Sequence, residues 1–167
     1  MKDWKSSLMF AATLSSITAP AIAADWYTLF VGGTDAVWFF DAATVEKSKD
    51  VMRVWVKTYR TRNADTEGAW ATAQRVDYDC AKRTFRAMSI SDYHQDGSFK
   101  RSWAGMKEAA DIVPDSIGES LLQTVCAKDF PLSRSNKNYV KTPSNNPGVF
   151  TKFYVEQLDS QTDQAPK

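Results

Sequence analysis

The sequence predicts an α+β fold: an antiparallel β-meander of about six strands, with one C-terminal helix packed on a face and tied by a disulfide. Three observations predict it. Between residues 25 and 103 short runs rich in aromatic and β-branched residues alternate with turn-forming residues. After Pro114 the apolar period becomes helical. The only two cysteines, Cys80 and Cys126, fall one in the strand region and one in the helix.

The strands are read in order. Asp25 to Val31 carries Trp26, Tyr27 and Phe30 and stops at Gly32-Gly33, and Ala36 to Asp41 carries Val37, Trp38, Phe39 and Phe40. Val51 to Arg60 alternates, with Met52, Val54 and Val56 on one face and Arg53, Trp55, Lys57 and Tyr59 on the other. After a turn near Asn63 to Gly68, Ala69 to Cys80 places Trp70, Val76, Tyr78 and Cys80 at one parity. Arg83 to Tyr93 follows, and the His94-Gln95-Asp96-Gly97 turn returns the chain as Ser98 to Trp103. Short turns between successive strands argue for an antiparallel meander.

The helix opens at Pro114. Ser116 as N-cap and Glu119 three residues later predict a capping box. Ile117, Leu121, Leu122, Val125 and Cys126 make one apolar stripe, so the Cys126 sulfur points with the stripe toward the middle of the sheet. Beyond it, Pro143 to Gly148 reads as loop, Val149 to Leu158 as a short element, and the end as polar.

Residues 1–23 stand outside the fold. Lys2 and Lys5 precede an apolar run that is broken by hydroxyl residues and Pro20 and ends in Ala21-Ile22-Ala23, the order of a secretory signal peptide. Ala24 follows where a lipoprotein would carry Cys. The expected organisation is a signal peptide (1–23), a domain at 24–127 and a C-terminal extension at 128–167. The expected product is soluble, exported and without a stable membrane anchor, periplasmic or at the cell surface. Export lets Cys80 and Cys126 join in an oxidising compartment. In the chain-entropy model a loop of this length stabilises by roughly 4 kcal/mol. The spacing is far from the Cys-x-x-Cys of catalytic dithiols.

The 167 residues carry 21 basic and 20 acidic side chains. Removing 1–23 takes away Lys2, Lys5 and Asp3 and leaves no net charge. Such a balance argues against nucleic-acid binding. One histidine and two cysteines cannot supply the four ligands of a structural zinc site, and no metal or cofactor is expected. His94 beside Asp92 and Asp96, and the Asp77/Asp79 pair, are the places where hydrolytic chemistry could sit. A turn histidine is usually solvated, and strand carboxylates facing Arg83 and Arg86 usually form surface ion pairs, so no catalytic residue is expected. Trp38, Phe40, Trp55 and Tyr59 are read as one face turned away from the helix and are the candidate partner-binding residues. Either Val149 to Leu158, through Phe150, Phe153 and Tyr154, or a second molecule would cover them.

Four stretches resemble the surface-adhesin protein E family of Gram-negative bacteria. They are Val37-Trp38-Phe39-Phe40-Asp41 with Thr44-Val45; Val51 to Val56; Asp77-Tyr78-Asp79-Cys80 with Arg83-Thr84-Phe85-Arg86; and Val113 to Leu122 with Val125-Cys126. The resemblance implies a sheet with a disulfide-held helix and a non-enzymatic exported protein. It also implies adhesion, the family being named for a surface protein that binds host extracellular-matrix and serum proteins. The expectation is therefore a protein partner, from the host matrix or the envelope, with a self-associating (homodimeric) structural protein of the bacterial envelope as the alternative.

Overall fold

The computed structural model describes residues 24–29, 36–60, 69–130, 139–142 and 146–162. The leader at 1–23, the Gly32-Gly33 turn and the 63–68 turn lie outside the described residues. The strands are β1 (Trp26–Leu29), β2 (Ala36–Asp41), β3 (Glu46–Ser48), β4 (Val51–Arg60), β5 (Ala71–Asp79), β6 (Thr84–Tyr93), β7 (Phe99–Ala104), β8 (Ala110–Asp111) and β9 (Tyr139–Lys141). The helices are α1 (Ile117–Val125) and α2 (Pro147–Thr162).

The strands form one antiparallel sheet in the order β7-β6-β5-β4-β2-β1-β9, with β3 beside β4 and β8 beside β6. The meander is the predicted one, with nine strands among the described residues rather than six. The additional strands have two or three residues, too few for a period to show. They form because a longer neighbour leaves hydrogen-bonding groups to fill. β2 pairs with residues 56–60 of β4, and β3 takes residues 51–53 on the same side. The step between β2 and β3 is a single 3-10 turn capped by buried Asp41, which accepts from Ala43 N–H at 3.0 Å and Thr44 Oγ1 at 2.9 Å.

The sheet has an apolar cluster on each face. On one face Phe40, Met52, Val54, Val56, Val76 and Tyr78 pack with Leu121, Leu122 and Val125 of α1. The other cluster is Val37, Phe39, Tyr59 and Ala71, against which Trp70, Phe150 and Tyr154 pack. The expectation of one helix is thus incomplete: α2, from the C-terminal extension, covers part of the second face. Its Phe150 meets Phe39 edge-on at 6.1 Å, whereas Phe153 is exposed.

Ser116 caps α1, accepting from Glu119 N–H at 3.2 Å. The reciprocal half of the box is shifted by one residue: Glu119 accepts from Asp115 N–H at 2.7 Å and pairs with Arg83. Cys80 and Cys126 are bonded, their Cα atoms 5.7 Å apart. Cys80 lies in the turn just past β5 and Cys126 is the C-cap of α1. The bridge therefore holds the helix end to the end of a central strand, not to the middle of the sheet.

Candidate interaction surface

Antiparallel register decides where the four aromatics point. Phe40 lies opposite Val56 and Trp38 opposite Thr58, so both share the α1 face with Val54 and Val56. Tyr59 lies opposite Val37, on the α2 face. Trp55 shares Tyr59's parity and lies opposite Arg75. The expected common face does not exist, because the register sets Trp38 and Phe40 of β2 on the face of Val56 and Thr58 of β4, opposite to that of Trp55 and Tyr59. Phe40 is fully buried, 5.5 Å from Tyr27 and 4.8 Å from Phe130 between ring centroids. Tyr59 is 3% exposed, edge-on to Phe39 at 5.6 Å and to Trp70 at 4.7 Å. Burial, then the neighbouring Tyr93, pushes its phenol up to about 12. Trp38 is half-buried beside the α1 cluster. Only Trp55 stands on the part of the sheet beyond the α2 cluster, half-buried among charges.

Those charges form a lattice. Asp77 holds Arg53 through two bonds, to Nε at 2.6 Å and Nη2 at 2.9 Å, with Arg86 at 3.6 Å. Glu46 bridges Arg53 at 3.5 Å and Arg75 at 2.6 Å. Lys57 sits over the rings of Tyr59 and Tyr93, at 5.2 and 4.9 Å, and its partial burial lowers its pKa. The hydrogen bond from Arg53, more than its charge, holds the Asp77 carboxyl below the usual range. Asp79 is held low by the Lys82 N–H at 2.9 Å, with Lys82 Nζ at 3.3 Å. Both carboxylates are therefore ionised, and neither has the raised pKa of a general acid. His94 is exposed in the turn, its N–H bonded to Ser98 O and its carbonyl to Gly97 N–H. It borders a broad, open depression with Gln95, Asp96, Ser98 and Lys152. Gly97 takes the positive φ expected there.

The outer edge of the sheet carries a second surface that strand parity missed. β7 ends the strand order, and nearly all its side chains are exposed. Phe99 is 59% and Trp103 42% exposed. Arg101 lies 5.1 Å from the Trp103 ring and bonds buried Asp92 at 3.1 Å. The register row Trp55–Arg75–Ser89–Ala104 runs from the charged face to this edge. Sequence pattern finds the strand, but only the strand order shows that it is an edge.

Among the described residues no group of three His, Cys, Asp or Glu could hold a metal ion, and no helix is long and apolar enough to cross a membrane. The family model for surface-adhesin protein E matches residues 26–127. The chain belongs to the surface-adhesin protein E family. That match covers every residue of the four resembling stretches and both cysteines. Among solved structures, the crystal structure of protein E from non-typeable Haemophilus influenzae is similar over 71% of this chain and 84% of that one, at 14% identity and a TM-score of 0.42. Comparison with curated proteins finds no match.

Proposed function

We propose that the protein is an exported, non-enzymatic adhesin-type module, released by cleavage after residue 23, that binds a host extracellular-matrix or serum protein. Family membership carries this reading. The contact surface assigned to it is the β7 edge, which turns Phe99 to the Trp55 and Arg75 side of the sheet and Arg101 and Trp103 to the α1 side. Trp103, Arg101, Trp55 and Arg75 are of the residue types that dominate binding energy in protein interfaces, and Phe99 is of a type enriched there. An edge strand also offers backbone groups to a partner strand. Ionised, cation-paired Asp77 and Asp79 and a solvated His94 support a binding rather than a catalytic role.

The test is retention on an immobilised panel of matrix and serum proteins, run beside an extract of the bacterium's own envelope. Wild-type protein is retained by the first panel. The double variant Phe99→Ser/Trp103→Ser is retained at least about tenfold more weakly, or about 1.4 kcal/mol. No retention, or retention indifferent to that variant and to Trp55→Ser, would refute the proposal. The exposed aromatics on an edge strand also favour a second reading, a homodimer joined across β7. Light scattering would then give twice the monomer mass for the wild type and the monomer mass for the double variant.

A further inference from the structure

A half-open cavity of about 310 Å³ lies between the first turns of α2, strand β4 and the turn joining β6 to β7. Lys57 lines it from β4, Lys152 from α2, and Gln95 and Asp96 from the turn. Two cations and one anion thus share a single cavity. Among the described residues none of the three is paired with another: neither lysine has a carboxylate within ion-pairing distance. Asp96 instead accepts from Ser98 N–H at 2.8 Å, and its bonds from Ser98 hold its carboxyl below the usual range. It is ionised.

Aromatic rings carry the two ammonium groups. Lys57 Nζ lies 5.2 Å from the centre of the Tyr59 ring, and Lys152 Nζ lies 5.5 Å from that of Trp70. The two rings meet edge-on at 4.7 Å. Gly148 lets the α2 backbone rest on both, since a Cβ there would come within 3.0 Å of Trp70 and 3.2 Å of Tyr59. A ring face attracts a cation but does not neutralise it. Lys57 is moreover partly buried, and a desolvated charge is costly until it is paired. Its Nζ has no hydrogen-bond partner, yet it is not one of the shielded atoms that lack one, which among the described residues are Trp38 Nε1 and Thr58 Oγ1. An incoming group can therefore reach it.

The charge pattern selects that group. Two cations against one anion favour a ligand with a single negative charge. The end of α2 does not compete for it: Gly148 N–H is bonded to Asn146 Oδ1 at 3.0 Å, and the next two N–H groups to Asn146 O. The lysines must meet the anion. Asp96 only accepts, so the same ligand must also bring donors. A phosphate dianion brings none and is repelled by Asp96, and an amino acid would bring an ammonium toward two lysines. A carboxylate on a hydroxylated ring satisfies both signs. The volume is at the low end of small-ligand sites, about 300–1,000 Å³, which suits one sugar ring. Gln95, Asp96 and Lys152 also line the broad open depression beside His94, which leaves a way out for a substituent.

We propose that this cavity binds one acidic monosaccharide, a hexuronate-type ring. Lys57 donates to the carboxylate, Lys152 adds its charge at the rim, and Asp96 accepts from ring hydroxyls. This is a second binding activity on residues other than those assigned to the protein partner, and no bond is made or broken.

The experiment titrates the full chain with methyl β-D-glucuronide and follows the indole ¹H–¹⁵N resonance of Trp70, assigned by its absence in Trp70→Phe. Methyl β-D-glucoside removes the charge, acetate removes the hydroxyls, and inorganic phosphate and serine test the other two ligand types. The glucuronide shifts the resonance saturably and binds at least about tenfold tighter than each of the four. Lys57→Met and Lys152→Met, which keep most of the apolar stem, each weaken it at least about fivefold, with folding checked by a cooperative thermal transition. If Lys57→Met does not fold, the exposed Lys152→Met and the probe comparison decide. A hyaluronan tetrasaccharide ending in glucuronate tells the source. Binding at least as tight as the monosaccharide marks the end of a glycan chain, exclusion marks a free sugar, and either upholds the site. No saturable shift by the glucuronide overturns the proposal. So does equal or tighter binding of any of the four comparison probes, or affinity indifferent to both lysine variants when folded.

Discussion

Asp77 is the hub of the ion lattice on the open face, bonded twice by Arg53 and approached by Arg86. Its folded pKa lies below the ordinary 3.8. A carboxylate depressed in the folded state contributes stability above its unfolded pKa and loses it as pH falls through the folded value. The wild-type protein therefore loses this contribution progressively on acidification below the ordinary aspartate range. Asp77→Asn removes it at every pH. Melting temperatures from neutral to strongly acidic pH should show the variant less stable at neutrality, with the gap closing as pH falls. A gap constant across the series would mean that Asp77 acts through packing rather than charge. Gly105 shows a different constraint. A Cβ there would lie 1.8 Å from the Ala87 carbonyl oxygen, which is why the chain leaves β7 at a glycine. It does so where its N–H meets Met88 O, beside the irregular pairing of β5 with β6.

The two helices depend on the sheet in different ways. α1 has its own capping residue and a continuous apolar stripe, and it buries Leu121, Leu122 and Val125. α2 holds to the second face through Phe150 and Tyr154, whose rings stack at 6.4 Å. A fully buried Phe→Ala change costs about 3–5 kcal/mol. Phe150 is half-buried, so Phe150→Ala should cost about half that, read as a lowered urea midpoint. The same change should let water reach Tyr59. Its phenol, now at about 12, should titrate closer to 10. The difference in absorbance titration between Phe150→Ala proteins with and without Tyr59→Phe isolates that group. An unmoved Tyr59 titration would show that α2 does not shield it.

At the scale of the molecule the disulfide joins the strand cluster to α1 across 46 residues of chain. Reduction, or Cys126→Ser, should lower the unfolding free energy by about 2–5 kcal/mol, the usual effect of losing a native bridge in a small exported domain. Urea unfolding with and without reductant measures it. An unchanged midpoint would mean that the α1 contacts alone constrain the unfolded chain's return. β9, from the same extension as α2, pairs with β1 through Tyr27–Lys141 and its neighbours. The extension thus adds both a strand and a helix to the domain.

Much of this was legible in the residues. Alternation in Val51 to Arg60 marked β4 with its correct two faces, because a period of two is a property of one strand. Ser116 and Glu119 marked the start of α1, because capping is local. Cys80 and Cys126 marked the bridge, because only two thiols were present to pair. Other features required the tertiary structure. Which face of β2 joins which face of β4 depends on cross-strand register, and a one-residue slip turns Phe40 from surface to core. That Phe99 and Trp103 line an edge depends on strand order, which no local pattern encodes. The half-enclosed cavity of about 270 Å³ beneath α1 depends on how far a helix stands off a sheet. That distance is set by all the side chains between them at once.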